Sequence, residues 1–489
     1  MNISTLIKEH LILRRMNSAL GCLVLSLLSI VLSWLIAYYN FPIAIIFPAT
    51  LLCLFLLFFI ILEPESGFYF AILFAFFHSF VLFILFRAYS IKPSLLIDSS
   101  IWLTTISVLI YKTRNKFIGW SSYNSPTSWA FIAYFSFFIL EIANPDHPDL
   151  LGWLMEFKRV LSIFLLFYVS LEIFKDLNIV HRFIKFWLVL ATACAVYACV
   201  QEVFGFLPGE KAFLLFSQDA LLRIYIDGHF RKFSIFPDPT SFGIFMGFSS
   251  VFFLSQLINP VAKQKRITYF CCCLVMILGM LFSGTRTAYA MIPAGFFIFC
   301  IMTLNRKESI YVIVIGSLTV LFILFAPIHN YTIQRLRTVF LGSSDPSMNI
   351  RNVHRKQIQP FIQAHPIGAG IATSGVKGKK YNPGGPLAGF PPDSELLGRG
   401  LELGYLGLIV FMLKLMTPML ASLNGYFSGR DPEIKSYLIS LVAVFFSIIL
   451  SLYSQEESLY TDMFLSILSA LILKLVVFDR AKLAKSPEL

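Results

Sequence analysis

Apolar residues run in stretches of about 20 along most of the chain, separated by short gaps that contain charged residues, Pro or Gly. A helix of that length crosses the hydrocarbon core of a membrane. The pattern therefore predicts an all-α, polytopic transmembrane helical bundle of about 12–14 spans. The predicted spans are 19–39, 42–62, 67–86, 94–111, 128–143, 157–174, 184–205, 239–258, 267–283, 288–304, 308–327, 400–420, 436–454 and 460–478.

Two longer polar segments interrupt this pattern. They divide the chain into residues 1–327, with spans 1–11 and the outer segment 206–238; residues 328–399, a long outer loop; and residues 400–489, with spans 12–14 and a cytoplasmic tail. Asp345-Pro346-Ser347 predicts a helix start within the loop. We expect Pro360 to kink or break the last turn of this helix and His365-Pro366 to end it. The Gly-rich stretch that follows predicts a mobile lid or a surface of close approach.

Composition excludes a soluble protein of this size, since 57% of the residues are apolar and only 13% are charged. The net charge of +12 comes largely from Lys and Arg in alternate gaps between spans. This is the positive-inside pattern, which predicts cytoplasmic termini and needs no nucleic-acid partner. The eight cysteines all lie in apolar runs, so we expect neither a disulfide framework nor a zinc site.

The long outer loop carries charge of the sign that is normally sparse on that side. Its nine basic residues face only three acidic ones. Long loops cross membranes regardless of charge, so one interpretation is a polar domain with a cationic face. The other is a site for an anion that arrives from the membrane surface, such as a lipid-linked phosphate.

Arg286 lies in the short connection between two predicted spans, 267–283 and 288–304. An Arg at this depth either extends to the lipid headgroups or offers its guanidinium fork to a bound phosphate. Arg231 and Lys232 precede Asp238-Pro239, where we expect Asp238 to cap the next helix. Lys158 and Arg159 begin another span on the same side. We expect these cations to converge on one pocket.

Four motifs along residues 220–420 resemble the O-antigen ligase and polymerase superfamily. Ser283-Gly284-Thr285-Arg286 is similar to its Ser-Gly-Ser-Arg-type motif, and Arg231 through Gly243 to its outer Arg segment. Arg351 with His365 through Gly370 resembles the Arg and the Pro-hydrophobic-Gly-x-Gly element of the family loop. Asp393 through Gly407 resembles the element that closes this loop.

The resemblance implies an integral-membrane glycosyltransferase at the outer face of the bacterial inner membrane. The donor would be a saccharide on undecaprenyl pyrophosphate and the acceptor a hydroxyl of another saccharide, within a setting of membrane lipids and with no metal or other cofactor. The implied catalytic residues are Arg286, Arg231, Asp393 and Glu395. The implied substrate-binding residues are Arg351, Arg355, Lys232, Arg223, His365, Lys158 and Arg159.

The identity of the proton acceptor stays open at this point. Ligases of the family carry a His where this chain has Asp393, which favours a polymerase-like or exopolysaccharide branch. Asp393 or Glu395 can serve as the base, or both can cap the following helix. His354 and His365 are substitutes for that role. Another acidic patch, without a motif, lies at the outer end of the last two spans: Glu456, Glu457 and Asp462.

Two other functions compete with this one. A transporter or flippase of a lipid-linked saccharide would show internal repeats and charges at mid-membrane, whereas the notable charges here lie at the outer edge. A protein O-oligosaccharyltransferase would differ only in its acceptor. The order of the motifs favours the polymerase or ligase interpretation.

Overall fold

The structure is a computed structural model that describes residues 26, 60, 63–81, 94–114, 124–146, 149–216, 218–226, 228–258, 266–325, 331–340 and 346–485. By their contacts the residues fall into two compact units, Met1–Leu73 with Ser99–Ile118, and Phe74–Asp98 with Gly119–Leu489. Every candidate site residue belongs to the second unit.

Helices build nearly all of the described chain, together with one two-stranded antiparallel hairpin. In chain order they are α1 (Pro64–Phe80), α2 (Ser94–Arg114), α3 (Pro126–Leu140, followed by a 3-10 turn, Glu141–Ala143), α4 (Leu150–Ile173), α5 (Leu177–Phe204), α6 (Pro208–Phe216), α7 (Gln218–Ile224), the strands β1 (Tyr225–Ile226) and β2 (His229–Phe230), α8 (Pro239–Ile258), α9 (Arg266–Phe282), α10 (Arg286–Met302), α11 (Lys307–Phe325), α12 (Tyr331–Phe340), α13 (Pro346–Ala364), α14 (Gly375–Tyr381), α15 (Glu395–Ser428), α16 (Pro432–Ser454) and α17 (Leu459–Lys485).

Within these described ranges, seven helices are long and apolar enough to cross a membrane: α2, α3 with its 3-10 turn, α5, α8, α15, α16 and α17. α9 and α10 are shorter apolar helices. The predicted all-α, polytopic helical bundle is confirmed, and the predicted span 239–258 has the bounds of α8. The predicted spans 19–39 and 42–62 lie outside the described residues, apart from Ser26 and Ile60.

Large aromatic side chains fill the centre of the second unit. Trp187 of α5 is fully buried, donates its Nε1 hydrogen to Ser249 Oγ at 2.9 Å and packs on Phe252, with ring centroids 4.7 Å apart. Nearer the end of the bundle that carries the long loop, the Phe76 ring meets three others edge to face at 4.8–5.4 Å: Phe236, Phe245 and Tyr460. These contacts fix the segment before α8 against the start of α17.

The long loop is partly helical, as its sequence predicts, but its main helix does not break where expected. α13 starts at Pro346, passes through Pro360 and ends at Ala364, just before His365-Pro366. The expectation that Pro360 breaks the helix is therefore wrong. The reason is that apolar side chains on both sides of Pro360 pack onto the start of α15. These are Ile358, Phe361 and Ile362, in a cluster with Leu387 and Leu401.

The first part of the Gly-rich stretch is a surface of close approach. Ala369 N donates to Leu401 O at 2.8 Å and Gly370 N to Glu402 O at 3.0 Å, so this stretch lies directly along the beginning of α15. α15 is interrupted at Gly404, which has φ +65° and ψ −172°. A Cβ at this position would clash with the Pro366 carbonyl. Glycine is required here both for its backbone angles and for its size.

Candidate functional site

The candidate residues lie at one end of the bundle, where α4, α8, α10, α15 and α17 begin and α5, α9 and α16 end. The turn Ser283–Thr285, between α9 and α10, is one of its fixed parts. Gly284 has φ +62°, which a residue with a side chain rarely adopts. Ser283 Oγ donates to Met280 O at 2.6 Å and accepts from Thr285 N at 3.2 Å. Arg286 therefore begins α10 from a braced turn, and it is partly buried.

Arg231 holds this turn from the opposite side. Its Nε hydrogen is donated to Ser283 O at 2.8 Å, and one Nη hydrogen to Thr285 Oγ1 at 2.8 Å. The other Nη donates to Arg223 O at 3.1 Å. A Cβ at Gly284 would lie only 3.1 Å from Arg231 Cγ, so the Arg231 side chain lies across the glycine. This geometry makes the buried Arg231 a brace for the turn that presents Arg286.

The start of α8 lies beside the same turn. Asp238 Oδ1 accepts from Thr240 N at 2.9 Å and from Ser241 N at 2.8 Å, which confirms the predicted cap. Thr285 is the N-cap residue of α10, but its side chain makes no capping hydrogen bond. Its hydroxyl instead donates to Pro239 O at 3.0 Å. The first amides of α10 therefore have no side-chain cap from Thr285.

The end of α16 and the connection 455–458 between α16 and α17 link the turn, the loop and α15. Thr287, next to Arg286, is hydrogen-bonded to Ser454 Oγ at 2.8 Å and accepts from Gln455 Nε2 at 3.2 Å. Glu395 N, at the start of α15, donates to Gln455 O at 3.0 Å. Arg355 of α13 donates to the Tyr453 hydroxyl at 2.9 Å and lies over its ring, 4.2 Å from the centroid.

A buried ion cluster lies at the same end, with partners from α4, α15 and α17. Glu395 Oε1 is 2.6 Å from Arg399 Nε, and its Oε2 accepts from Glu457 N at 2.8 Å. Lys414 donates to Asp462 at 3.0 Å. Arg159 Nη2 lies 3.9 Å from Asp462 Oδ2 and donates to the Glu457 carbonyl at 3.4 Å. We call these residues the ion cluster: Arg159, Glu395, Arg399, Lys414, Glu457 and Asp462.

Glu457 differs from the other carboxylates of the ion cluster in its hydrogen bonding. Its side chain is 8% exposed, and neither carboxylate oxygen has a hydrogen-bond partner among the described residues. Burial, together with the charge of nearby Asp462, raises the pKa of Glu457 to about 8. The carboxyl is therefore mostly protonated at neutral pH.

The sequence contains a signal for part of the ion cluster and its surroundings, namely ionisable residues inside a predicted span. Lys414 and Glu402 fall inside the predicted span 400–420, and an ionisable residue inside a span indicates a functional or paired site. Lys414 is buried within 5.1–5.7 Å of three aromatic ring centroids, those of Phe131, Tyr134 and Phe411. A hollow lies beside it, lined by Phe131, Tyr134, Phe135, Val160, Ile163, Phe164, Lys414 and Asp462.

Asp393 does not cap α15, because the cap position belongs to Ser394, which makes no side-chain capping bond. Glu395 does not cap the helix either, since its carboxylate binds Arg399 and Glu457 N. The alternative of a capping role for both carboxylates is thus wrong. Asp393 instead accepts a hydrogen bond from His354 Nδ1 at 2.8 Å, and it adopts φ +54°.

Several of the predicted cations have separate partners. Lys158 pairs with Asp98 at 3.2 Å, whereas Lys232 pairs with Glu202 at 3.3 Å and lies over the Phe206 ring. Three further cations are bound elsewhere, and one is exposed. Arg231 is bound to the turn, Arg355 to Tyr453 and Arg159 to the ion cluster, and the Arg223 side chain is exposed. The Arg351 side chain lies outside the described part of the chain.

His365 is engaged locally. Its Nδ1 is hydrogen-bonded to Phe361 O at 2.9 Å, and its ring stacks on the Phe361 ring with centroids 4.0 Å apart. Its role in substrate binding stays a prediction.

The comparison with known families matches residues that lie at this end of the bundle. Residues 271–412 match the family model of the O-antigen ligase. The resemblance to the O-antigen ligase superfamily is thereby confirmed. The matched segment contains the Ser283–Thr285 turn, the long loop and the start of α15, whereas Arg231 and Glu457 lie outside it. None of the curated proteins matches the chain. Residues 271–412 of this multi-pass membrane protein are thus similar to the O-antigen ligase.

Proposed function

We propose that this protein is a membrane glycosyltransferase that joins saccharides from an undecaprenyl-pyrophosphate-linked donor to a saccharide acceptor, as an O-antigen or exopolysaccharide polymerase or ligase. One observation carries the proposal: the O-antigen ligase match covers the Arg286 turn, the long loop and the start of α15, and these parts meet at α16 and its connection to α17. The activity needs a site for a diphosphate beside a site for a sugar hydroxyl.

Arg286 is the residue that we assign to the diphosphate of the donor. It occupies the first turn of α10, where backbone amides point outward and the helix dipole favours an anion. A guanidinium adds a bidentate contact to phosphate oxygens. As the bond between the sugar and the phosphate breaks, negative charge grows on the leaving diphosphate, and a fixed cation stabilises that charge. Arg231 acts through the turn, because its donors are directed to Ser283 and Thr285.

The acceptor saccharide would lie beneath the long loop. Arg355 of α13 contacts this region, because it donates to Tyr453, whose neighbour Ser454 is hydrogen-bonded to Thr287, next to Arg286. The exposed Lys356, Lys379 and Lys380 of the loop add cationic groups that suit anionic saccharides or diphosphate. The roles of Arg351, Arg355, Arg223, Lys232, Lys158 and Arg159 in substrate binding stay predictions.

The charge pattern supports an outer-face site in the bacterial inner membrane with both termini cytoplasmic. Basic gaps lie at the opposite end of the bundle from the Arg286 turn: Lys175 between α4 and α5, Arg306 between α10 and α11, and Arg430 between α15 and α16. Positive residues of short loops stay in the cytoplasm. The Arg286 end then faces outward, where a lipid-linked donor is presented after translocation.

The decisive experiment is an assay of the purified protein in proteoliposomes with a lipid-linked saccharide donor already accessible to the site. Formation of a glycosidic bond under these conditions distinguishes transfer from translocation. We expect Arg286→Lys to insert normally and to lose most of the activity, because lysine offers a point charge without the bidentate fork. Arg306→Lys, at the other end of α10, is the matched control and keeps its activity.

Two results would count against the proposal. Near-normal product from Arg286→Lys would remove the assigned diphosphate site. Translocation of the lipid-linked saccharide without any transfer would favour a flippase. In cells, gene deletion separates the two branches, since loss of long chains with single repeats retained indicates a polymerase and loss of all attachment indicates a ligase.

A further inference from the structure

His354 and Asp393 form a pair that the amino-acid sequence does not show, because 39 positions separate them. His354 Nδ1 lies 2.8 Å from Asp393 Oδ2. A carboxylate can only accept, so the Nδ1 hydrogen is donated to it and Nε2 keeps its lone pair. No described residue is hydrogen-bonded to Nε2. An imidazole held in this tautomer by a carboxylate is the usual arrangement of a general base.

The His354 ring is also fixed and accessible. Phe390 contacts it edge to face, with ring centroids 5.0 Å apart. The side chain remains 23% exposed, in contrast to the buried carboxyl of Glu457. Phe390 and Asp393 belong to the same segment before α15, so contacts between α13 and this segment fix the orientation of the ring.

Asp393 adopts a backbone conformation that agrees with a positioning role. Its φ of +54° is uncommon for a residue with a side chain, although Asp and Asn tolerate it best. Residues held in such uncommon backbone conformations cluster at functional sites. The neighbouring Glu395 cannot take the role of base as easily, since both of its oxygens already have partners, Arg399 and Glu457 N.

The pair lies on the same side of the bundle as Arg286. Arg355, next to His354, binds Tyr453, and the adjacent Ser454 is hydrogen-bonded to Thr287, next to Arg286. Three single-residue steps along the chain and two side-chain contacts therefore connect the imidazole with the assigned diphosphate site.

We propose that His354 is the catalytic base of the transfer reaction and that Asp393 is the residue that positions it. This inference rests on the proposed function. The acceptor hydroxyl gives its proton to His354 Nε2, and its oxygen forms a bond to the anomeric carbon of the donor. The bond from that carbon to the diphosphate oxygen breaks, and the diphosphate leaves with the electron pair. The imidazolium then returns its proton to water or to the released diphosphate.

The test uses the full-length protein in the proteoliposome assay. We expect His354→Gln to lower kcat by about 10²–10⁴-fold, the usual contribution of a general base, with little change in the KM of the donor. His181→Gln is the matched control, because this histidine also lies beside a carboxylate, that of Glu433 at 2.6 Å, but at the start of α5 and so at the opposite end of the bundle; it should stay within about twofold of the wild type. Asp393→Asn keeps the backbone conformation and should also lower kcat, because an amide no longer enforces the tautomer.

A pH profile separates a base from a merely structural residue. Wild-type kcat should fall on the acid side, because a protonated imidazole cannot accept the proton of the acceptor hydroxyl, and His354→Gln should lack this fall. The exchanged variant His354→Asp/Asp393→His should recover part of the kcat that His354→Gln loses.

The possible results distinguish a failure of the His354 assignment from a failure of the proposed function. Wild-type kcat and an unchanged acid limb in His354→Gln would overturn the assignment while leaving the proposed function intact. A wild-type protein that makes no product would overturn both. If His354→Gln does not fold, as judged by its melting temperature, the kcat of Asp393→Asn decides, and a kcat equal to that of the wild type would refute the pair.

Discussion

Glu457 allows a test of the buried ion cluster that does not depend on any enzymatic activity. The perturbation is Glu457→Gln, which keeps the shape of the side chain but cannot ionise. In the folded protein, burial next to Asp462 raises the pKa of Glu457 from 4.5 to about 8. The folded state therefore holds the proton more tightly than the unfolded state does. The free energy of unfolding should fall as pH rises from about 4.5 to about 8, and the neutral variant should lose this contribution.

The size of the change in the free energy of unfolding follows from the shift in the pKa of Glu457. One pKa unit corresponds to about 1.4 kcal/mol, so the full shift amounts to a few kcal/mol, on the order of 3–5 kcal/mol as an upper bound. Above pH 8 the wild type must keep a carboxylate with no hydrogen-bond partner among the described residues in a buried place. Glu457→Gln should thus match the wild type near pH 5 and be the more stable protein near pH 9.

The assay is thermal unfolding of the purified protein in one detergent, at one scan rate, from pH 5 to pH 9. For a chain of this size we expect a rise in Tm of a few degrees at pH 9 and none at pH 5. Glu308→Gln, an exposed carboxyl in the first turn of α11, is the control and should follow the wild type throughout. Parallel curves for Glu457→Gln and the wild type would refute the reasoning.

Two further predictions concern backbone placement near the site. Arg231→Lys should lower both Tm and kcat, because lysine cannot donate to Ser283 O and Thr285 Oγ1 together, and a buried acceptor left without its donor costs about 1–3 kcal/mol. Arg430→Lys, at an exposed position between α15 and α16, is the control and should change neither quantity. Gly404→Ala should lower the yield of folded protein and its Tm, since φ +65° with ψ −172° is confined to glycine and costs about 1–3 kcal/mol before the clash with Pro366 is counted. Its control, Gly316→Ala in α11, has open space around the added methyl and should be neutral or stabilising.

The fold was predictable from the sequence because membrane helices follow from local properties. An apolar run of span length specifies a helix whatever its neighbours are, as the agreement of 239–258 with α8 illustrates. The Asp238 cap was predictable for the same reason, because its partners are two and three residues away. The break expected at Pro360 failed because packing of Ile358 and Phe361 against Leu401 outweighs one missing amide donor.

The sequence indicated candidate residues for the site but not how their side chains pair. The sequence indicated Arg286, Arg231, Asp393 and Glu395, yet gave no information on which acidic group each cation would contact. Arg159 approaches Asp462 across 303 positions, and the contact of His354 with Asp393 depends on how α13 folds back on α15. Long-range pairs of this kind are set by tertiary packing. For this reason Lys158, Lys232 and Arg159 each lie beside a different acidic residue.

The contacts of the α16–α17 connection explain why a charged cluster is buried at this end of a membrane protein. An amide or carboxylate partner in a place with little water forms stronger hydrogen bonds than it would in solvent, provided that the geometry is complete. Glu395 makes two such hydrogen bonds, since its carboxylate accepts from Glu457 N and its own amide donates to Gln455 O, and it also lies in an ion pair with Arg399. Two hydrogen bonds to Glu395 of α15 therefore hold the connection. Ser454 and Gln455 are hydrogen-bonded to Thr287, and Tyr453 is hydrogen-bonded to Arg355. A reaction that must align a diphosphate with a sugar hydroxyl requires its groups on rigid supports, and the connection provides one support common to Arg286 and His354.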